Sequence, residues 1–132
     1  MGRTVRCTPA TRQGRLRKAR QFADAAEVVA DLADDADDVA DAYVTLLVHA
    51  GIAAADVLCC ARLGEHATGE NHNEAVALLA KVDRKLAEDL RTLLGMKTKA
   101  GYSHQPTSKA DRVRAERSCA RLVQAARDLA DM

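Results

Sequence analysis

The chain has 132 residues, of which 48% are hydrophobic and 30% charged, so it can bury one core and is too apolar to be wholly disordered. It contains only 2 prolines, 2 tyrosines and 1 phenylalanine, and no tryptophan, which excludes the turn-rich, aromatic composition typical of all-β proteins. We therefore expect an all-α protein. The net charge of +1 excludes a uniformly acidic or basic surface.

Charged residues are segregated along the chain. Residues 1–20 carry seven basic and no acidic side chains, residues 21–50 carry eight acidic and no basic ones, and residues 97–132 carry eight basic and four acidic ones. The first block has two interpretations. It pairs with the acidic segment 24–41 of its own fold, or it contacts nucleic-acid phosphates as a basic arm.

Capping signals predict where the first two of four helices begin and end. Thr8 is a suitable N-cap and Pro9 a suitable first residue for a helix that extends to about residue 33. The second helix follows the aspartate cluster at residues 34–38, because acidic side chains favour a helix N-terminus. It ends before Gly64, a residue type common just after helix C-termini.

The second half of the chain predicts two more helices and completes the fold. One continuous helix follows the capping residue Asn71, a polar linker occupies residues 95–107, and a fourth helix starts near Ser108. These elements predict an antiparallel four- or five-helix bundle. It forms a single domain at residues 9–132, preceded by a basic N-terminal arm at residues 1–8.

The second helix is apolar nearly all round. A helix of that kind is buried on both sides, which predicts either a homodimer through this helix or a central helix in a compact bundle. Its few polar residues, Thr45, His49 and Asp56, share one strip, and this strip holds either a buried His–Asp pair or solvated side chains. Because they interrupt the apolar run, we expect no membrane span.

Cysteine and histidine positions bear on compartment and metal binding. Cys59 and Cys60 are adjacent within an apolar helical pattern, and no CxxC pair is present. We therefore expect all four cysteines, Cys7 and Cys119 included, to be free thiols in a reducing cytoplasm. His66 and His72 share a predicted loop with several glutamates. We expect that loop to be solvated, and we predict no metal site and no cofactor.

The segment from Lys97 to His104 carries the most chemistry of any stretch in the chain. Glycine-rich phosphate loops, HExxH, nucleophile-elbow and EF-hand motifs are all missing from the sequence. Lys97 can neutralise a phosphate, His104 can act as a general acid or base, and Tyr102 can stack on a base. Nearby positive charge comes from Lys99, Arg112, Arg114 and Arg117. The segment is either a nucleic-acid site or an ordinary interhelix loop.

Three stretches resemble the HEPN families (higher eukaryotes and prokaryotes nucleotide-binding), in an actinobacterial branch. They are AGIAAADVLCCARLGEHATGENHNEAVALL (residues 50–79), LRTLLGMKTKAGYS (residues 90–103) and RAERSCARLVQAA (residues 114–126). The resemblance covers roughly residues 15–130. It implies a helical bundle that usually forms a homodimer. Many such proteins are metal-independent endoribonucleases, often toxins paired with an antitoxin, and others are non-catalytic RNA-, nucleotide- or partner-binding modules.

The active HEPN families place an arginine a few residues before a histidine, and this chain departs from that pattern. Lys97 occupies the arginine position, Tyr102 stands where the shortest spacing would put histidine, and His104 follows Lys97 after six intervening residues. Arg62 and His66 are closer together and lie elsewhere in the fold. The resemblance implies Lys97, Tyr102 and His104 as a degenerate catalytic set.

Two functions follow from these observations. The first is a cytoplasmic RNA-associated module, with endoribonuclease activity that is weakened or lost. The alternative is a non-catalytic helical protein that binds a protein partner.

Overall fold

The computed structural model describes residues 3–130, which form five α-helices, a 3₁₀ turn and a two-stranded antiparallel sheet. The elements are β1 (Thr4–Arg6), α1 (Pro9–Leu32), the 3₁₀ turn (Ala36–Val39), α2 (Ala40–Leu63), β2 (Glu65–Ala67), α3 (His72–Ala80), α4 (Arg84–Gly101) and α5 (Lys109–Ala130). The predicted all-α helical fold is confirmed, with the addition of a small sheet.

Local capping chemistry sets the helix ends that the sequence predicted. The Thr8 hydroxyl accepts a hydrogen bond from the backbone N–H of Thr11, and the Thr11 hydroxyl accepts one from the Thr8 N–H, so α1 begins with a capping box. Gly64 follows α2 with a φ of 74°, in the left-handed region that favours glycine. The Asn71 side chain accepts a hydrogen bond from the N–H of Glu74 and caps α3.

The predicted third helix is wrong in its extent, because it is two helices. The carboxylate of Asp83 accepts a hydrogen bond from the Leu86 N–H and starts α4 as a new helix. The helix α4 then continues to Gly101, through most of the predicted linker. Buried residues on both sides of Gly95 hold that glycine in the helix, and they outweigh its cost of about 1 kcal/mol. Lys97 and Lys99 are therefore helical residues.

The helix α2 lies at the centre of the bundle. Thirteen of its 24 residues are buried, and α1, α4, α5 and β2 pack around it. The pairs Arg15–Asp56 and Phe22–His49 show that α1 lies antiparallel to α2. The chain's own elements thus cover this apolar helix. A homodimer through α2 remains a prediction, but the all-round apolar pattern no longer supports it.

The segment Ala36–Leu63 is long and apolar enough to cross a membrane by length and composition. However, 67% of its most apolar window is buried inside the fold. That degree of burial is what a central core helix requires.

Gly51 allows α2 and α4 to approach closely. A Cβ atom on Gly51 would lie 2.2 Å from Cδ1 of Leu93, a side chain with no exposed surface. This contact leaves no room for a larger residue unless Leu93 moves. The absence of a side chain at Gly51 lets α2 and α4 lie close together, and neighbouring turns of both helices line a cavity.

The predicted free state of all four cysteines is wrong for two of them. Cys7 and Cys60 form a disulfide with a Cα–Cα distance of 5.5 Å, whereas Cys59 and Cys119 are free and buried. Strand β1 pairs antiparallel with β2, and the Cys7 N–H donates to the Gly64 carbonyl, which brings Cys7 to the last turn of α2. Location in the cytoplasm stays a prediction that these two cysteines no longer support.

The N-terminal segment lies on the domain from residue 3 onward, and residues 1–2 of the predicted arm fall outside the described part. Within residues 3–130, no ion pair joins this basic segment to residues 24–41; its ion pairs are Arg3–Glu70 and Arg15–Asp56. The predicted pairing is therefore not found. The antiparallel hairpin explains why, since it places the basic start of α1 beside the end of α2, away from the acidic residues.

Candidate functional site

A cavity of about 280 Å³ opens between α1, α2, α4 and the segment from β2 to α3. We call it the histidine pocket, because three of the four histidines of the chain line it. Its lining residues are Arg15, His49, Ile52, Ala55, Asp56, Cys59, His66, Ala67, Thr68, Gly69, Asn71, His72, Ala75, Leu90, Leu94 and Lys97.

The pocket is amphipathic. Ala55, Cys59, Leu90 and Leu94 are buried and give it apolar walls. The cationic side chains of two helices, Arg15 from α1 and Lys97 from α4, also line it. Apolar walls with a few convergent polar groups are typical of ligand pockets, and this volume lies at the small end of their range.

Arg15, Asp56 and His66 form a partly buried electrostatic chain in the pocket. Nε of Arg15 lies 2.9 Å from one carboxylate oxygen of Asp56, without the alignment of a hydrogen bond, and Nδ1 of His66 lies 3.8 Å from the other. Burial raises the pKa of Asp56, and the charges of Arg15 and His66 oppose that rise. The carboxylate thus lies against the positive charge of Arg15.

The backbone fixes the tautomer of His66. Its Nδ1 lies 2.7 Å from the Ala67 carbonyl oxygen. Because a carbonyl only accepts hydrogen bonds, Nδ1 must carry the proton and donate it. In the neutral imidazole, Nε2 is then the unprotonated nitrogen, able to accept a proton.

His49 lies in the electrostatic field of two cations, Lys97 and Arg15. Its ring packs against Phe22 with centroids 5.4 Å apart. Burial lowers the pKa of His49, and the charges of Lys97 and Arg15 lower it further. Lys97 itself has no ion-pair partner within residues 3–130. The pocket therefore contains a cation that no carboxylate of the described chain neutralises.

The thiol of Cys59 contributes little reactivity to the pocket. Burial, together with the charges of Asp56 and Glu65, raises the pKa of the Cys59 thiol to about 12. The thiol is protonated at neutral pH and is a poor nucleophile. Across residues 3–130, no group of three or more His, Cys, Asp and Glu side chains is placed to hold a metal ion.

The structure separates the three residues of the predicted catalytic set. Lys97 lines the histidine pocket, whereas Tyr102 and His104 are exposed on the connection between α4 and α5 and do not line it. Tyr102 is 81% exposed. Lys97 is thus placed with His49 and Arg15, and not with His104.

Three of the four predicted nucleic-acid-binding cations are engaged in ion pairs. Lys99 and Arg114 both pair with Asp111, and Arg112 pairs with Asp37. Hydrogen bonds from Arg114 and Lys99 lower the pKa of Asp111 below its usual value. We call this region, residues 99–117, the α4–α5 corner. Its remaining candidate, Arg117, is exposed.

The sequence interpretation missed most of the histidine pocket. His49 and Asp56 were placed on one strip, and both do line the pocket, but Asp56 pairs with Arg15 and His66 instead of His49. His66 and His72 were expected in a solvated loop. The signal that pointed to them was the presence of two histidines within one short polar segment.

Comparisons of the chain with models of protein families, with curated proteins and with solved structures find no match to any of the three. The resemblance to the HEPN families therefore stays a prediction.

Proposed function

We propose that this protein binds RNA through a single phosphate-bearing nucleotide unit seated in the histidine pocket. The observation that carries the proposal is the position of Lys97, a cation without a carboxylate partner in the described chain. It lines one pocket with Arg15 and with His49, whose pKa burial and the charge of Lys97 lower. A phosphate is the anion that such a set suits, because charged hydrogen bonds from Lys and Arg to phosphate are strong.

The charge balance of the pocket supports an anionic ligand. Among the described residues, Asp56 is the one carboxylate that lines it, and Arg15 already neutralises that group. Lys97 then leaves a net positive charge in a partly apolar cavity. A phosphate that enters the pocket compensates this charge, and the low pKa of His49 rises as the repulsion from Lys97 is relieved.

The apolar walls and the size of the pocket support a nucleotide over a bare anion. Leu90 and Leu94 come from α4 and Ala55 and Cys59 from α2, and all four are buried. These surfaces suit a base or a ribose face. A cavity of about 280 Å³ accommodates one such unit, so neighbouring nucleotides of an RNA would lie outside it.

Binding of a labelled, short single-stranded RNA, measured by fluorescence anisotropy, tests the proposal. We expect Lys97→Ala to weaken binding about tenfold or more, the loss typical of a charged hydrogen bond. Lys99→Ala is the matched control, because Lys99 lies on the same helix but pairs with Asp111. Equal affinity of the wild type and Lys97→Ala would refute the proposal. If no RNA binds at all, the alternative function, binding of a protein partner, gains support.

A specific observation favours a second function at the same site, the cleavage of RNA. His66 carries its proton on Nδ1, held by the Ala67 carbonyl, so Nε2 can take the proton of a ribose 2′-hydroxyl. The 2′-oxygen then attacks the phosphorus, the bond to the 5′-oxygen breaks, and the 5′-oxygen takes a proton from solvent. Lys97 would stabilise the charge on the phosphate.

Cleavage assays in the presence of a chelator distinguish this site from the one predicted by sequence. We expect His66→Ala to abolish product formation and His104→Ala to leave it unchanged. The reverse result would place the chemistry at His104, as the resemblance implies. Retention of activity in both variants would exclude either histidine as the base.

A further inference from the structure

We infer that the Cys7–Cys60 disulfide regulates the histidine pocket, so that reduction of this bond loosens one pocket wall and weakens ligand binding. The inference rests on the proposed function for its ligand. Its structural basis is independent, because the disulfide anchors the two-stranded ribbon of β1 and β2, and β2 continues into the pocket wall.

The wall in question is formed by residues 66–69, at the end of β2 and in the loop that follows. His66, Ala67, Thr68 and Gly69 all line the pocket. Strand β1 holds this segment from outside, with Thr4 opposite Ala67 and Val5 opposite His66. The Thr68 N–H also donates to the Arg3 carbonyl, at 3.3 Å. The position of His66 thus depends on β1.

Apart from the disulfide and its strand pairing, the ribbon is held by contacts at the surface. They include hydrogen bonds from the Arg3 N–H to Glu74, from the Thr4 hydroxyl to Glu65 and from the Cys7 N–H to the Gly64 carbonyl. Each strand has three residues, and all three residues of β1 are exposed. A two-stranded ribbon of this length is marginal in water. The ion pair that adds to it, Arg3–Glu70, joins side chains that are 77% and 68% exposed, and exposed pairs contribute little. The covalent bond from Cys7 to α2 is therefore the strongest single link between β1 and α2.

The chemistry requires a dithiol reductant, such as a cellular dithiol protein or dithiothreitol. One of its thiolates attacks a disulfide sulfur, breaks the S–S bond and forms a mixed disulfide, and its second thiol then displaces the remaining protein thiol. The protein gains two electrons and two protons as two cysteine thiols, and the dithiol becomes a disulfide. Cys7 is only half-buried, which gives the reductant an approach.

The test compares oxidised and dithiothreitol-reduced full-length protein by hydrogen exchange and by RNA binding. On reduction we expect faster amide exchange in residues 65–68 and about tenfold weaker binding of the labelled RNA, a typical coupling between two sites. Circular dichroism should show the helices unchanged. The double variant Cys7→Ser/Cys60→Ser should behave as the reduced protein and ignore the reductant. The control Cys119→Ala removes a buried free thiol in α5 and should respond as the wild type does.

The outcomes separate this inference from the proposed function. Unchanged exchange in residues 65–68 on reduction overturns the inference, whether or not RNA binds. Equal RNA affinity in both redox states, with the effect of Lys97→Ala retained, also overturns it and leaves the proposed function standing. Faster exchange in a protein that binds no RNA in either state supports control of the wall and refutes the proposed function.

Discussion

The histidine pocket and the α4–α5 corner both contain a cluster of cations, but they differ in what surrounds the charge. At the corner, Asp111 accepts bonds from both Lys99 and Arg114, and Asp37 pairs with Arg112. In the pocket, Asp56 pairs with Arg15, and Lys97 stays without a carboxylate partner in the described chain. The density of positive charge in the sequence is higher at the corner, yet the unpaired cation with apolar walls lies in the pocket.

We therefore expect pairing, more than charge count, to decide where an anion binds. A cation that already donates to a carboxylate gives up part of its interaction when a phosphate approaches. A cation held against apolar walls gains more from a phosphate, because few water molecules compete there. Four variants, in order of decreasing effect, test this contrast.

The largest effect is expected from removing the disulfide beside the pocket. Cys7→Ser/Cys60→Ser opens a loop with a sequence separation of 53, and the chain-entropy relation predicts a loss of about 4 kcal/mol in the free energy of unfolding. Urea denaturation measures this loss, with Cys119→Ala as a control that keeps the disulfide. A loss no larger than that of the control would mean that the disulfide does not contribute to the stability of the fold.

The second effect is expected from Arg15→Ala, which leaves the carboxylate of Asp56 buried without its main partner. We expect a loss of about 2 kcal/mol near neutral pH. The pKa of Asp56 is already raised in the fold and would rise further, so Asp56 takes up a proton as the pH falls and the loss shrinks.

Urea denaturation of the Arg15→Ala variant at neutral and at mildly acidic pH measures this dependence. The control is Arg114→Ala at the α4–α5 corner. Arg114 is 64% exposed, and Asp111 keeps its pair with Lys99 when Arg114 is removed, so this change should have little effect at either pH. Equal losses for the two variants would remove the energetic contrast between the two regions.

A third variant, Asp111→Asn, should make the corner resemble the pocket. It frees Lys99 and Arg114 from their shared carboxylate. The slope of the logarithm of RNA affinity against the logarithm of salt concentration should therefore steepen by about one to two, one for each cation that then contacts a phosphate. An unchanged salt slope would show that pairing does not mask these cations.

The carboxylate of Asp111 also makes the stability of the fold depend on pH. Because hydrogen bonds lower the pKa of Asp111 in the fold, its contribution to stability is complete above the ordinary pKa of aspartate. That contribution is lost as the pH falls through the lower pKa of the folded state.

The smallest effect is expected from Tyr102→Ala. Tyr102 is 81% exposed and does not line the pocket, so we expect the RNA affinity to stay within about twofold, against the 1–3 kcal/mol typical of a stacked base. Fluorescence anisotropy on the same RNA measures it. A loss of RNA affinity of tenfold or more would indicate that RNA binds at the α4–α5 corner, as predicted from the sequence.

Local chemistry made the helix boundaries predictable. Thr8 and Pro9 at the start of α1, Gly64 after α2 and Asn71 before α3 all act within a few residues of their own position. The split at Asp83 was missed, although an aspartate followed by a buried leucine pattern is itself a capping signal. The ion pair of Asp111 with Arg114, three residues apart on a helix, was also within reach of sequence reasoning.

The pocket could not be predicted in the same way, because its parts come from distant segments. Arg15, Asp56 and Lys97 lie on three different helices, and only packing brings them to one cavity. Strand β1 has three exposed residues and no alternation of apolar side chains, so neither the ribbon nor the disulfide had a periodic signal. The spacing of His49 and Asp56 predicted that they share one face of α2. It did not predict that Arg15 and His66 pair with Asp56.

The Cys7–Cys60 bond also closes the α1–α2 hairpin into a covalent ring, because the chain turn at residues 33–39 joins the two helices at their other end. A protease that cuts once within this turn would leave the two halves of the oxidised protein linked, and they would migrate as one species until a reductant separates them. Both ends of the hairpin are therefore secured by bonds. A single backbone cut within this turn cannot release the helix that supplies Arg15 from the one that supplies Asp56.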